Sequence, residues 1–275
     1  MIALTTGRDG ELIAEQHLTS PSIYLDHWAL RRASDAPEVG RRLTRAIERR
    51  EGTLTISFAN IAEFMAVDHA TARRAEEFID ANRPRLFFQD FNPFEVVQRE
   101  QALMAGAPPA PPHADLDLLR LVVGLRPPSL EPITCLGMLT AVAGERITST
   151  GRMKQVFVDR MASLRADYLN DQDFRAAVDR AIRAPGQPRG TGIILRELLG
   201  GLVRDSKAPI TQNDAMDFFH AVVPASYCDF ALLDGRWRDQ VDRLRTRLAR
   251  LGPLFPVATV YSDASAFDSL LAQIE

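Results

Sequence analysis

Short β-branched or aromatic runs alternate with segments of helical period, and this alternation constrains the chain more than any other feature. Ser22 to Asp26 (SIYLD), Thr53 to Ser57 (TLTIS), Leu86 to Phe88 (LFF), Cys228 to Asp234 (CDFALLD) and Leu254 to Tyr261 (LFPVATVY) read as strands. Helix-period segments fall at 36–50, 58 to about 67, 71–81, 92 to about 104, 211 to about 223, 236–251 and 264–274. Ser57 and Thr211 stand where helix caps belong, with Asp214 in capping-box spacing to Thr211, and Pro224 is expected to halt its helix. Strands joined by helices pair in parallel. The expectation is an α/β protein: an open parallel sheet of about five strands flanked by helices.

The alternation breaks off between 105 and 204. Residues 106–112 (GAPPAPP), 126–132 (RPPSLEP) and 184–190 (APGQPRG) are proline- and glycine-rich joints, and only helix-period segments lie between them, the longest from about 151 to 183. The domain reading is therefore an N-terminal segment at 1–19, a core split into 20–104 and 205–275, and an all-helical insertion at 105–204. The insertion is expected to gate or extend a groove, or to form a protomer contact, rather than to supply ligands.

Composition removes several classes of function. With 46% hydrophobic residues among 275, a buried core is affordable and a disordered chain is excluded. The formal net charge is −3, which argues against sequence-blind coating of nucleic acid. Of 33 basic residues, Lys154 and Lys207 are the only lysines. Cys135 and Cys228 are too few for a disulfide framework, and neither CxxC nor HExxH occurs to support zinc chemistry. The opening MIALTTGRDG lacks a basic leader before an apolar stretch, and the weakly polar run at 133–144 is too short to span a bilayer. These features predict a soluble cytoplasmic protein without a membrane partner.

Acids carry the functional argument. Two strands end in Asp26 and Asp234, and two helices carry Glu63 and Asp217 in their early turns. In an open parallel sheet, ligands bind at the carboxyl ends of the strands where chain order reverses. Helices that follow a strand begin at that same edge, so four acids nearly two hundred residues apart can converge there. Crowded carboxylates repel one another unless a cation neutralises them, and an all-oxygen cluster suits Mg²⁺ or Mn²⁺.

With these residues in place, IYLDHW (23–28), SFANIAEF (57–64) and NDAMDFFHAVVPASYCDFALLD (213–234) resemble the PIN-domain family of metal-dependent nucleases, mostly ribonucleases and including many bacterial toxins of toxin–antitoxin pairs. The resemblance covers the split core and not the insertion. It implies that Asp26, Glu63, Asp217 and Asp234 are catalytic residues holding one or two Mg²⁺ or Mn²⁺ ions, and that the activity is endoribonucleolytic and toxin-like. RNA is the implied substrate, with an antitoxin-like or self-association partner. Two departures from the family pattern stand out. His27 and Trp28 follow the first acid where the family has small polar residues, and Asp234 precedes Gly235, with Asp229 as the alternative fourth acid. These departures support a second class of function, a catalytically silent PIN-like scaffold that binds nucleic acid or protein. A phosphatase-type hydrolase is a third reading, weakened because no DxD pair follows the first strand.

Other side chains have a bland and a functional reading. Asn60, three residues before Glu63, can share its helix face and bind substrate; His220, one turn after Asp217, can orient that carboxylate or contact phosphate, or be a core histidine. His27 reads as structural, on the opposite face of a strand from Asp26. Arginines 236, 238, 243, 245 and 247 read as a solvated face, and burial is the expected fate of Trp28 and Trp237.

Overall fold

A computed structural model describes residues 2–6, 12–64, 67–107, 111–124, 143–181, 190–205, 209–250 and 256–275. Cys135, the joint at 126–132, the apolar run up to 142, most of 184–190 and the start of the last expected strand lie outside the described residues.

Five strands form the central sheet: β3 (Ser22–Leu25), β4 (Thr53–Ser57), β5 (Leu86–Gln89), β6 (Phe230–Leu232) and β7 (Thr259–Tyr261). Their order is β5-β4-β3-β6-β7, and every neighbouring pair is parallel. The expected open parallel α/β sheet is therefore present. Ahead of it, β1 (Ile2–Thr6) and β2 (Leu12–Gln16) make a separate antiparallel hairpin that the strand reading did not include.

Twelve α-helices are described. They are α1 (His27–Asp35), α2 (Pro37–Arg49), α3 (Phe58–Phe64), α4 (His69–Ala81), α5 (Pro93–Met104), α6 (Leu116–Gly124), α7 (Ala143–Asn170), α8 (Gln172–Ala181), α9 (Gly190–Arg204), α10 (Gln212–Tyr227), α11 (Gly235–Ala249) and α12 (Ala266–Ile274). Helix α1 was not expected. It starts directly after β3, and α2 packs closely on it, since a Cβ at Gly40 would lie 2.6 Å from the Ala33 carbonyl oxygen. The long helix expected at 151–183 is two helices, α7 and α8, broken at Asp171.

Pro224 does not halt α10, which runs on to Tyr227. Proline removes one N–H from the ladder. Here Val222, Val223 and Ala225 are wholly buried, so packing outweighs the lost bond, and the Cys228 N–H closes the last turn on the Pro224 carbonyl at 2.9 Å.

Register decides what each sheet face buries. Tyr24 lies opposite Thr55 on β4 and Ala231 on β6. Side chains alternate along a strand. Ile23, Leu25, Leu54, Ile56 and Phe88 thus fall on one face, with Leu30, Leu43, Phe78 and Phe267 from flanking helices. Tyr24, Ala231 and Val260 fall on the other, under Phe218 and Phe219 of α10 and Trp237 of α11. Phe157 and Met161 of α7, with Ile194, Leu198 and Leu202 of α9, belong to that second cluster. The described helices of the 105–204 segment therefore share the core of the split sheet. Among the described residues, no helix is long and apolar enough to cross a membrane.

Candidate active site

Chain order reverses at β3, whose neighbours are β4 on one side and β6 on the other. A crevice at such a point opens at the carboxyl ends of the strands. Asp26 follows β3 there, and its backbone N–H donates to the Leu232 carbonyl at the end of β6 at 3.1 Å. Asp234 lies just beyond the end of β6, Glu63 on the helix after β4, and Asp217 in the second turn of α10.

Two of these acids cap helices. Asp26 Oδ1 accepts the Ala29 N–H of α1 at 3.3 Å, and Asp234 Oδ1 accepts the Trp237 N–H of α11 at 3.1 Å. Each cap uses only the Oδ1 atom, and each places a carboxylate at the positive end of a helix. Capping explains why acids terminate both strands, but not why burial and charge are concentrated around them.

Asp26 is 9% exposed. Burial is the largest cause of a pKa raised from 3.8 to about 8; Glu63 and Asp234 push it further up, while His220 and the Ala29 N–H pull it down. Burial and then the charge of Asp234 raise Asp217 to about 6, with Glu63 and Asp214 adding to the effect. Glu63 behaves differently. Burial works to raise its pKa, yet His220, His27 and Lys154 hold it below the ordinary value.

His220 organises this cluster. It is 3% exposed, and Nε2 lies 3.2 Å from Glu63 Oε2. The two atoms form an ion pair without the alignment of a hydrogen bond. The Nδ1 atom is in a short contact with the Tyr24 hydroxyl, which lies 3.3 Å from Ser57 Oγ. Burial alone would lower the His220 pKa, but Glu63, Asp26 and Asp217 raise it above 6.5.

Asn60 is a correction to its sequence reading as a substrate contact. It is 1% exposed and fully engaged: Oδ1 accepts from the Ser57 N–H at 2.9 Å, and Nδ2 donates to the Leu25 carbonyl at 3.1 Å. It ties the first turn of α3 to the end of β3, which positions Glu63. His27 is also corrected. It is the first residue of α1 rather than a strand residue, and its Nδ1 lies 3.7 Å from Glu63 Oε2. Asp229 is at the opposite, amino end of the sheet, where Oδ2 accepts from the Ser22 N–H at 2.7 Å and Ser20 Oγ at 2.8 Å. The fourth acid at the cluster is Asp234. Asp214 caps α10 with Thr211, as its spacing indicated.

Sequence reasoning missed Tyr24 and Lys154. A tyrosine inside a buried strand needs a partner for its hydroxyl, and that was the available signal for Tyr24. Lys154 had no signal beyond the rarity of lysine.

The fold and site define an open parallel α/β protein with a partly buried carboxylate cluster where its chain order reverses. Compared with protein-family models, curated proteins and solved structures, the chain matches none. Among the described residues, no three His, Cys, Asp or Glu side chains are already arranged to hold a metal ion. The donor chemistry still fits one: four carboxylates, Asp26 buried and the others half-buried, stand at one edge of the sheet, and Asp26 and Asp217 ionise reluctantly there. Hard oxygen donors of this kind suit Mg²⁺ or Mn²⁺.

Proposed function

We propose that the protein is a metal-dependent endoribonuclease of the kind its resemblance to PIN domains implies, hydrolysing RNA phosphodiester bonds at the carboxyl edge of the sheet. One observation carries this reading. Asp26, Glu63, Asp217 and Asp234 come from four separate elements, and the charges of Glu63 and Asp234 act on both Asp26 and Asp217 at the β3–β6 switch point. A fold does not need four acids at one partly buried edge, because like charges held close together repel one another.

Asp26, Glu63, Asp217 and Asp234 would hold Mg²⁺ or Mn²⁺. When bound, the cation would activate water and offset charge on the phosphate oxygens. The chain's own residues set the stage. Asn60 fixes the start of α3, His220 holds Glu63 in place against Tyr24, and the α1 and α11 amino termini turn backbone N–H groups toward the crevice. Helix amino termini favour anions, so they suit a phosphate arriving at an acidic edge.

A second reading has its own observation. His220 and His27 already flank Glu63, and no ligating trio is assembled among the described residues. A scaffold that binds RNA without cutting it fits that arrangement.

Incubation with single-stranded and structured RNA separates the two. Cleavage should require Mn²⁺ or Mg²⁺ and stop with EDTA. Asp26→Asn, Glu63→Gln and Asp217→Asn should each lower the rate by several orders of magnitude with an unchanged circular dichroism spectrum. Binding without cleavage in both metals would establish the silent scaffold. Cleavage at the parental rate by Asp26→Asn would trace to a contaminating nuclease.

A further inference from the structure

A cavity of about 560 Å³ opens at the carboxyl end of β5, within the size range of small-ligand sites. Phe58 and Phe91 contribute aromatic rings 6.3 Å apart to its wall. Phe58 is the first residue of α3, which also carries Glu63. Phe91 meets Phe219 edge-on at 6.2 Å, and Phe219 precedes His220. The cavity is therefore linked to the acidic cluster through α3 and through the contact of Phe91 with α10. Its far wall is α7, through Thr150 and Met153. Phe157, one turn further along α7, packs 4.8 Å from Phe218 and 5.3 Å from Phe219, so this helix both lines the cavity and packs on the part of α10 that carries Asp217 and His220.

The polar lining has a definite character. Asp90, Glu95, Asp115 and Asp117 outnumber Arg99 and Arg120, so the lining repels phosphate. Asp90 is paired with Arg99, yet the buried Nε of Arg99 has no hydrogen-bond partner among the described residues. Carboxylate acceptors and a guanidinium donor beside two aromatic rings complement a nucleobase edge, where amino donors sit next to ring-nitrogen and carbonyl acceptors. The apolar rings suit the base's face.

Lys154 follows Met153 on α7. It is half-buried and has no ion-pair partner among the described residues, although its charge acts on Glu63. It is thus a cation on the helix that lines the cavity, close enough for its charge to act on Glu63.

We propose that the cavity binds the base of a nucleotide next to the scissile bond, and that Lys154 holds the intervening phosphate; this rests on the endoribonuclease reading. Bases with an exocyclic amine fit the carboxylate lining better than uracil does. Residues 143–170 of the insertion would then supply part of the substrate site.

The test reads binding apart from cleavage. Fluorescein-labelled, phosphorothioate-linked hexamers of A, C and U are titrated with intact protein by anisotropy in Mg²⁺ at several salt concentrations. A and C hexamers should bind about tenfold more tightly than U. Lys154→Ala should weaken all three and reduce the salt slope by about 0.7, the value for one lost single-strand phosphate contact. Met153→Trp should fill the cavity and remove the base preference; Asp117→Asn, at an exposed lining residue, should reduce it if the tryptophan variant fails to fold. Arg160→Ala, exposed on the same helix, should change nothing. Equal binding of all hexamers, with Lys154→Ala indistinguishable from the parent, overturns the proposal while leaving RNA cleavage intact. Failure of the parent to bind any hexamer and to cut any RNA overturns the endoribonuclease reading, and this proposal with it.

Discussion

Replacing Asp26 with Asn removes a buried titrating group yet keeps the α1 cap, since Asn serves the N-cap position as well as Asp. Burial, with Glu63 and Asp234 adding to it, raises the Asp26 pKa from 3.8 to about 8. The unfolded chain loses that proton near 3.8, whereas the folded protein keeps it to about 8. Between those values the folded state binds more protons, so stability falls as pH rises. The contribution is complete below the lower value and lost above the upper one. At about 1.36 kcal/mol per pH unit, the full window corresponds to about 6 kcal/mol. Relaxation and water entry around a buried ion reduce the realised loss to on the order of 2–4 kcal/mol. His220, with its raised pKa, acts in the same direction, because it stabilises the fold at low pH and stops doing so as pH climbs. Urea unfolding of parent and Asp26→Asn in EDTA, at pH 5 and pH 8, measures the effect. The variant's advantage should grow by about 1–3 kcal/mol between the two conditions. An advantage constant to within about 0.5 kcal/mol would refute the reasoning, since it would mean that Asp26 titrates alike in both states.

Millimolar Mg²⁺ or Mn²⁺ should raise the parent's thermal midpoint, because a ligand bound only by the folded state adds about 2.7 kcal/mol at a hundred times its Kd. For a chain of this size that is about 5–10 °C by scanning calorimetry, and the Asp26→Asn, Asp217→Asn double variant should show no rise. Asp229→Ala should cost about 1–3 kcal/mol by leaving Ser20 and Ser22 without their acceptor, while the RNA cleavage rate stays at the parental value. Lost cleavage in a folded Asp229→Ala protein would move the site to the other end of the sheet.

The sheet was legible because each of its strands is a short apolar run with a helix-period segment behind it, which leaves little choice but parallel pairing. Helix α1 was hidden by the strand before it. SIYLDHW reads as one extended run until Asp26 is recognised as an N-cap, and that misplaced His27 on a strand face. The four acids could be found because their positions follow from strand ends and early helix turns. Their neutralising partners could not. His220 meets Tyr24 across 196 residues of sequence, and the charge of Lys154 acts on Glu63 from another helix, so neither interaction leaves a local pattern. Pro224 misled for a related reason: a local rule predicts a stop, and burial of the residues on either side of it overrides the rule. Asn60 lies near Glu63 as its spacing suggested, but faces inward because the turn from β4 into α3 needs its amide.

The pairing of β3 with β6 joins residues roughly two hundred positions apart. On a ribosome adding ~5–20 residues per second, β5, β4 and β3 emerge tens of seconds before the strand that completes the sheet. Throughout that interval one edge of β3 has no partner of its own, and an open edge is a template for another chain. A nascent or truncated product ending within the helical segment therefore carries Asp26 and Glu63 but neither Asp217 nor Asp234. The four acids come together only after β6 is made, which leaves every chain ending within the helical segment without that cluster.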